Sequence, residues 1–210
     1  MSLKLYYSPG ACSLSPHIAL REAGLPFDLV KVDLTAKKLS GDGDGAGRDF
    51  FAINNKGYVP VLGLDSGEFI TEGAVIVQYI ADQTPERKLA PPAGTLARVR
   101  LNEWLNFIAT ELHKTFGPIN NPKSNDEFKQ VWKARLAARF DVLAKGLEGR
   151  PFLLGDSFTV ADGYAYYVLR NLRKLDQVAL ERAPVLAAFF ERIGARPAVR
   201  AALAAEGLPA

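Results

Sequence analysis

The chain has 210 residues, of which 48% are apolar and 23% charged, enough for one large or two small hydrophobic cores of ordinary globular character. A net charge of +3, with Lys and Arg dispersed among Asp and Glu, provides no basic block for nucleic acid. No apolar run approaches the roughly 18 residues that cross a bilayer and no secretory leader is recognisable, so the cytoplasm is expected and a membrane partner is not. One Cys and two His suffice neither for an internal disulfide nor for a metal-ligand cluster, so no metal and no resident cofactor is expected.

Leu5-Tyr6-Tyr7 suits a pleated strand, Ser8-Pro9-Gly10 a turn, and Ser15-Pro16 followed by Ile18-Ala19-Leu20 a helix with Pro in its first turn. Cys12, the sole cysteine, falls on that strand-to-helix turn, where the unpaired N–H groups and the dipole of a helix favour a thiolate. The competing reading is a buried, inert thiol. Residues 26–34 alternate apolar and polar like a half-buried strand, whereas the Gly-rich, polar residues 35–48 predict a mobile loop. Its Gly-Asp alternation lacks the terminal carboxylate of a calcium loop. Residues 57–62 and 68–70 around Asp65-Ser66-Gly67 predict a hairpin, and Thr71-Glu72-Gly73 opens a helix whose apolar positions are Val75, Ile76, Tyr79 and Ile80.

Pro85, Pro91, Pro92 and Gly94 make residues 84–95 a linker. Beyond it strand signals vanish, and helices are predicted at about 96–117, 125–147, 159–174, 184–194 and 197–205 with breaks at 118–122, 148–151 and Pro184. The expected architecture is therefore an α/β domain of thioredoxin-like order over residues 1–83 and an all-α domain over 96–210.

Cys12-Ser13-Leu14-Ser15 has no second thiol to resolve a mixed disulfide, so an attacking Cys12 needs an external thiol, for which glutathione is the abundant choice. Ser13 offers a hydroxyl that can help hold a thiolate or simply cap the helix. Leu101, Trp104, Leu105, Ile108 and Leu112 form an apolar stripe on the helix from 96, with Asn106, Thr110 and His113 as a polar stripe beside it. Thr159 and Asp162 have capping-box spacing and read as a folding element, and His17 as structural. On the helix from 159, Ala161, Ala165, Val168 and Leu172 mark the apolar side; Arg170, Arg173 and Lys174 fall elsewhere, either solvated or reaching a cleft that would then favour anionic ligands.

The stretch Tyr-Tyr-Ser-Pro-Gly-Ala-Cys-Ser-Leu-Ser-Pro-His-Ile-Ala-Leu-Arg-Glu, residues 6–22, resembles the opening of the beta-class, bacterial glutathione S-transferases, and the resemblance runs nearly end to end. Members commonly begin Met-Lys-Leu-Tyr-Tyr, which marks Ser2-Leu3 as an appended remnant. The resemblance implies the glutathione transferase fold, in which Cys12 meets the glutathione sulfur and can form a mixed disulfide with it. It implies a cis Val59-Pro60 bond, with Val59 offering its backbone to the cysteinyl part of glutathione. Glu72 and the helix start at Gly73 would receive the γ-glutamyl group, although Gly73 stands where many members have Ser. Lys37 would lie near the glycine carboxylate. The segments around Trp104 and His113 would bring His113, with a pKa near neutral, to the glutathione sulfur and Asn106 to the glutathione of a partner subunit, making a homodimer. An aromatic is expected near Asn171 in the site for the hydrophobic co-substrate.

The expected function is conjugation of the glutathione thiolate to small hydrophobic electrophiles. Two alternatives stand beside it: a monothiol, glutaredoxin-like thiol transferase working through Cys12, and a non-enzymatic binder of glutathione or hydrophobic ligands.

Overall fold

A computed structural model describes residues 3–41, 45–176, 179–180 and 183–209. In chain order its elements are β1 (Leu3–Tyr7), α1 (Leu14–Ala23), β2 (Phe27–Asp33), β3 (Lys38–Leu39), β4 (Val61–Gly63), β5 (Phe69–Thr71) and α2 (Gly73–Asp82). They continue as α3 (Leu96–Phe107), a π-helical segment (Ile108–His113), α4 (Phe116–Asn120), α5 (Asp126–Gly146), α6 (Val160–Leu175), α7 (Pro184–Gly194) and α8 (Pro197–Ala205). The chain divides into two compact units, Met1–Leu89 with Ala195–Ala210, and Ala90–Gly194. The terminal segment carrying α8 thus packs with the first unit, where the sequence reading had kept it with the other helices.

In the first unit the described strands run β3-β2-β1-β4-β5. β1 pairs parallel with β2, setting Leu5 opposite Leu29, and antiparallel with β4, setting Leu5 opposite Leu62. Alternation in β1 sends Leu3 and Leu5 into the core that Ile18, Leu20, Ile76 and Ile80 of α1 and α2 complete, all at 1% exposure or less. Each such side chain contributes on the order of 2 kcal/mol. Leu3, suspected as an appended residue, is therefore a core residue paired with Phe27; Ser2 lies outside the described residues. On the other face Tyr6, Val32, Leu39, Phe50, Val59 and Val61 form a second cluster. Leu39 explains why the predicted loop 35–48 is partly a strand: its side chain belongs to this cluster, and β3 pairs antiparallel with β2 through Val32 and Leu39. Residues 42–44 of that stretch lie outside the described ones.

In the second unit Thr95 caps α3 by accepting the Arg98 N–H at 3.2 Å, and Asn125 caps α5 by accepting that of Phe128 at 2.8 Å. Leu101, Leu105, Ile108 and Leu112 are buried to 1% or less, as the stripe predicts. The break assigned to Pro118 falls later, because Pro118 is the third residue of α4, where its missing N–H would have had no intrahelical partner. No helix among the described residues is long and apolar enough to cross a membrane.

Candidate active site

Cys12 lies on the turn between β1 and α1, just before the helix cap Ser13. Backbone bonds build the turn: Ala11 N–H donates to Ser8 O and Leu14 N–H to Ala11 O, both at 3.0 Å. Gly10 takes φ +71°, open to a residue without Cβ. The Cys12 sulfur is half-buried, and its S–H donates to the Val59 carbonyl at 3.1 Å. The helix-end argument speaks for a thiolate; this contact is one that only the protonated thiol makes. Ser13, expected to help hold that thiolate, is fully buried and turned to Ser8, accepting its N–H at 3.2 Å and donating to its carbonyl at 3.3 Å. Its hydroxyl shapes the loop.

Val59 brings the next candidates to the sulfur. The Val59–Pro60 peptide is cis, and a Cβ built on Gly73 would meet only Pro60 Cγ, at 3.7 Å, so α2 begins against this proline. Glu72 precedes α2 with φ +69°, a conformation that costs a non-glycine residue on the order of 1 kcal/mol or more and that clusters at functional positions. Its carboxylate, largely exposed, accepts from Lys56 Nζ at 2.6 Å, and the same ammonium donates to Thr71 Oγ1 at 3.2 Å. Lys37, also at positive φ (+57°), donates through Nζ to Gly57 O at 2.9 Å and lies 5.8 Å from the Tyr58 ring centroid. Cys12 and Val59, and Pro60 and Gly73 with Glu72 beside it, are thus brought together in the first unit, and Lys37 reaches Gly57 in the loop leading into Val59. Lys56 was not anticipated: it is sixteen residues from Glu72 and carries no periodic signal.

In the second unit Asn106 is exposed on α3, and its carbonyl accepts from Thr110 Oγ1 at 3.0 Å. His113 departs from the polar stripe drawn through it. Between Ile108 and His113 the helix widens, with Lys114 N–H donating to Ala109 O at 3.3 Å, an i to i−5 bond, and the extra residue turns His113 inward. Nδ1 lies 2.9 Å from the Tyr164 hydroxyl and Nε2 3.5 Å from that of Tyr167, and both rings meet the imidazole edge to face. Burial, with Lys114 adding to it, lowers the His113 pKa to about 4, so the near-neutral value expected for it is corrected: the ring is uncharged at physiological pH. Tyr164 and Tyr167, one turn apart on α6, were not anticipated, because the apolar stripe of that helix, Ala161, Ala165, Val168 and Leu172, does not pass through them.

Arg170 and Arg173 follow Tyr166 at i+4 and i+7 and face α7. Arg170 hydrogen-bonds Tyr166, which stacks on Phe190 at 4.8 Å, and the Arg173 guanidinium sits 5.5 Å from the Phe190 centroid. Arg170 is buried, so it is neither a solvated cation nor on the side of α6 that meets His113. At the start of α6 the Thr159–Asp162 capping box is formed, and Asp162, wholly buried, also accepts from Leu153 N–H at 2.8 Å. Burial raises its carboxyl to about 6 against these bonds. Its place at a helix start and its partners are those of a folding element.

Residues 10–83 match the family model of the glutathione S-transferase N-terminal domain, and residues 108–206 that of the C-terminal domain. The glutathione S-transferase GstA of Escherichia coli O157:H7 is 45% identical over 98% of this chain and 100% of its own length. The GST-4.5 glutathione S-transferase of Xanthomonas campestris pv. campestris is 35% identical over the same shares. Among solved structures, the bacterial glutathione transferase BphK in a ternary complex superposes with a TM-score of 0.92 at 52% identity, covering 98% of this chain and 100% of that one. A sphingomonad glutathione S-transferase complexed with glutathione gives 0.89 at 45%, again over 98% and 100%, and the beta-class enzyme of Sphingomonas chungbukensis 0.90 at 45%.

Proposed function

Because the chain belongs to the bacterial beta class of the glutathione S-transferase family, we propose that it binds glutathione on the first unit and joins its sulfur to small hydrophobic electrophiles. The observation that carries this reading is the end-to-end match, 45% identity over the full length of a glutathione S-transferase. The geometry supports it at one place, where Cys12 Sγ, the Val59 backbone and the start of α2 lie together.

Val59 offers its backbone N–H and C=O to the cysteinyl unit of glutathione, which adds as a short strand. Glu72 takes the γ-glutamyl ammonium, exchanging the Lys56 ion pair for it, while the first N–H groups of α2 take the carboxylate in place of a serine hydroxyl. Lys37 lies within reach of the glycine carboxylate once it leaves Gly57 O. In the reaction the glutathione S–H loses its proton, a carbon–sulfur bond forms, and a leaving group departs or a proton adds to the electrophile. His113 enters this reading as an uncharged ring whose nitrogens face the Tyr164 and Tyr167 hydroxyls, and Asn106 of a second copy completes the site in a two-fold dimer.

Cys12 favours a second activity at the same site, because a half-buried thiol without a resolving partner is the arrangement of a monothiol exchanger. The Cys12 thiolate attacks a glutathione mixed disulfide, forming Cys12–S–S–glutathione and releasing the other thiol. A second glutathione thiolate then frees Cys12 and leaves as oxidised glutathione.

The test is turnover of glutathione with a panel of aryl halides, enals and epoxides, alongside reduction of a mixed disulfide, in wild type and Cys12→Ala. Conjugation that survives Cys12→Ala, with loss of disulfide reduction, is expected. Tight glutathione binding with no turnover on any electrophile would make the chain a binder and sink the reading.

A further inference from the structure

A buried chain of polar groups joins the segment just after α8 to the loop that carries Cys12. Glu206, just past α8, accepts the Gly10 N–H through Oε2 at 2.8 Å and meets His17 Nδ1 through Oε1 at 2.8 Å. Arg21 Nε donates to His17 Nε2 at 3.0 Å. Because Nε2 accepts, the His17 proton sits on Nδ1 and points at the carboxylate, an orientation that Arg21 enforces one turn along α1. The side chains of His17 and Glu206 are both 0% exposed.

We propose that Glu206 is a positioning residue for the reactive loop: through Gly10 it fixes the backbone two residues before Cys12 and so sets how the sulfur is presented. The proposal rests on the reading of Cys12 as part of the glutathione site. Three observations carry it. Side-chain hydrogen bonds at three points help to pin the Ser8–Ser13 turn, of which the Ser13 hydroxyl on Ser8 is local and the Val59 carbonyl holds the sulfur itself. Glu206 supplies the third, the one on the backbone between them, at a residue whose φ of +71° leaves it easily rearranged.

The second observation is a control built into the same helix pair. At its other end α8 is tied to α1 by Arg196, which reaches Glu22 through Nε at 2.6 Å and Nη2 at 2.8 Å, partly in water and away from the Cys12 turn. That ion pair holds the two helices with its Arg196 side chain 30% and its Glu22 side chain 11% exposed, whereas both members of the His17–Glu206 pair are fully buried. The third is the burial of Glu206: a carboxylate taken wholly out of water is weak evidence for stability, which leaves the arrangement of its partners as the role to be tested. Glu206 spends its two oxygens on two groups, one of them the loop amide.

The experiment compares Glu206→Gln, Glu206→Asp and Arg196→Gln in the full chain at 25 °C. It reads the rate of Cys12 alkylation by iodoacetamide, KM for glutathione against kcat, amide exchange at Gly10, and Tm. Both Glu206 variants should change the alkylation rate by about fivefold or more, raise KM for glutathione by a similar factor and lose protection at Gly10. The aspartate variant, which keeps the charge on a shorter arm, keeps the buried pairing and serves if glutamine impairs folding. Arg196→Gln should lower Tm while leaving alkylation and KM within about twofold. If the Glu206 variants lower Tm as Arg196→Gln does and leave Cys12 alkylation unchanged, the network is only a clamp between helices and the proposal is overturned. Alkylation needs no glutathione, so a wild type without turnover would defeat the functional reading while the response of Cys12 still decides this one.

Discussion

The Nδ1 of His113 and the hydroxyl of Tyr164 stand 2.9 Å apart, in a setting that keeps the imidazole uncharged down to about pH 4. An unfolded chain takes up that proton near pH 6.5, so the stabilisation is whole above 6.5 and drains away as the pH falls through 4. The span corresponds to on the order of 3 kcal/mol. Denaturant midpoints of wild type and His113→Gln should therefore converge between pH 7 and pH 4, because only the wild type carries this penalty. The same pKa keeps His113 out of any ionisation seen in kcat/KM between pH 5 and 8. A profile in which His113→Gln removes a step near pH 6.5 would contradict it.

At the start of α2 the expected outcome is a gain. A Cβ on Gly73 would meet nothing nearer than Pro60 Cγ at 3.7 Å, an ordinary contact, and the residue is not among the glycines with positive φ. Gly73→Ser restores a hydroxyl beside the helix N-terminus and removes glycine's backbone entropy from the first turn. One added hydrogen bond to the γ-glutamyl carboxylate is worth about 1 kcal/mol, or roughly a fivefold lower Kd for glutathione. Titration calorimetry checks it; weaker binding in the serine variant would place the carboxylate elsewhere.

How far the sequence could be read depended on the range of each signal. Thr159 and Asp162 are three residues apart, so their capping box was visible as spacing. The stripe through Leu101, Leu105, Ile108 and Leu112 was visible as periodicity, since one face of one helix makes it. Leu39 was hidden in a Gly-rich stretch because what makes it a strand is the cluster around Phe50 and Val32, which local composition does not contain. His113 was placed in a stripe that presumed 3.6 residues per turn, and one widened turn undid it. In the candidate site, the turn context singles out Cys12 and the resemblance Val59, Pro60, Glu72 and Gly73, whereas Lys56 and Glu206, which reach Glu72 and Gly10, come from 16 and 196 residues away. Neither pairing leaves a trace along the chain.

Arg170 is expected to matter for stability rather than for ligand choice. It is 7% exposed and bonded to Tyr166, on the side of α6 that meets α7. Arg170→Ala should lose about 1–3 kcal/mol through the vacated volume and the lost stem packing. The ratio of kcat/KM for matched carboxylated and neutral electrophiles should stay within about twofold in both Arg170→Ala and Arg173→Ala. A shift of tenfold in either, about 1.4 kcal/mol of transition-state discrimination, would return these cations to the ligand site.

Asn106 separates the dimer from the fold. It is exposed on α3, and the bond that Thr110 makes is to its backbone carbonyl, so removing the side chain should change stability by no more than about 0.5 kcal/mol. If a second copy's glutathione lies against it, Asn106→Ala should still raise KM for glutathione by about three- to tenfold, the worth of one polar contact. Sedimentation of the wild type at micromolar concentration should show a species of twice the 22.9 kDa chain mass, and the variant should sediment identically. The two readouts fail separately. A monomer in the wild type would remove the shared site altogether, whereas a dimer with an unchanged KM in Asn106→Ala would leave the assembly standing and take this residue out of it.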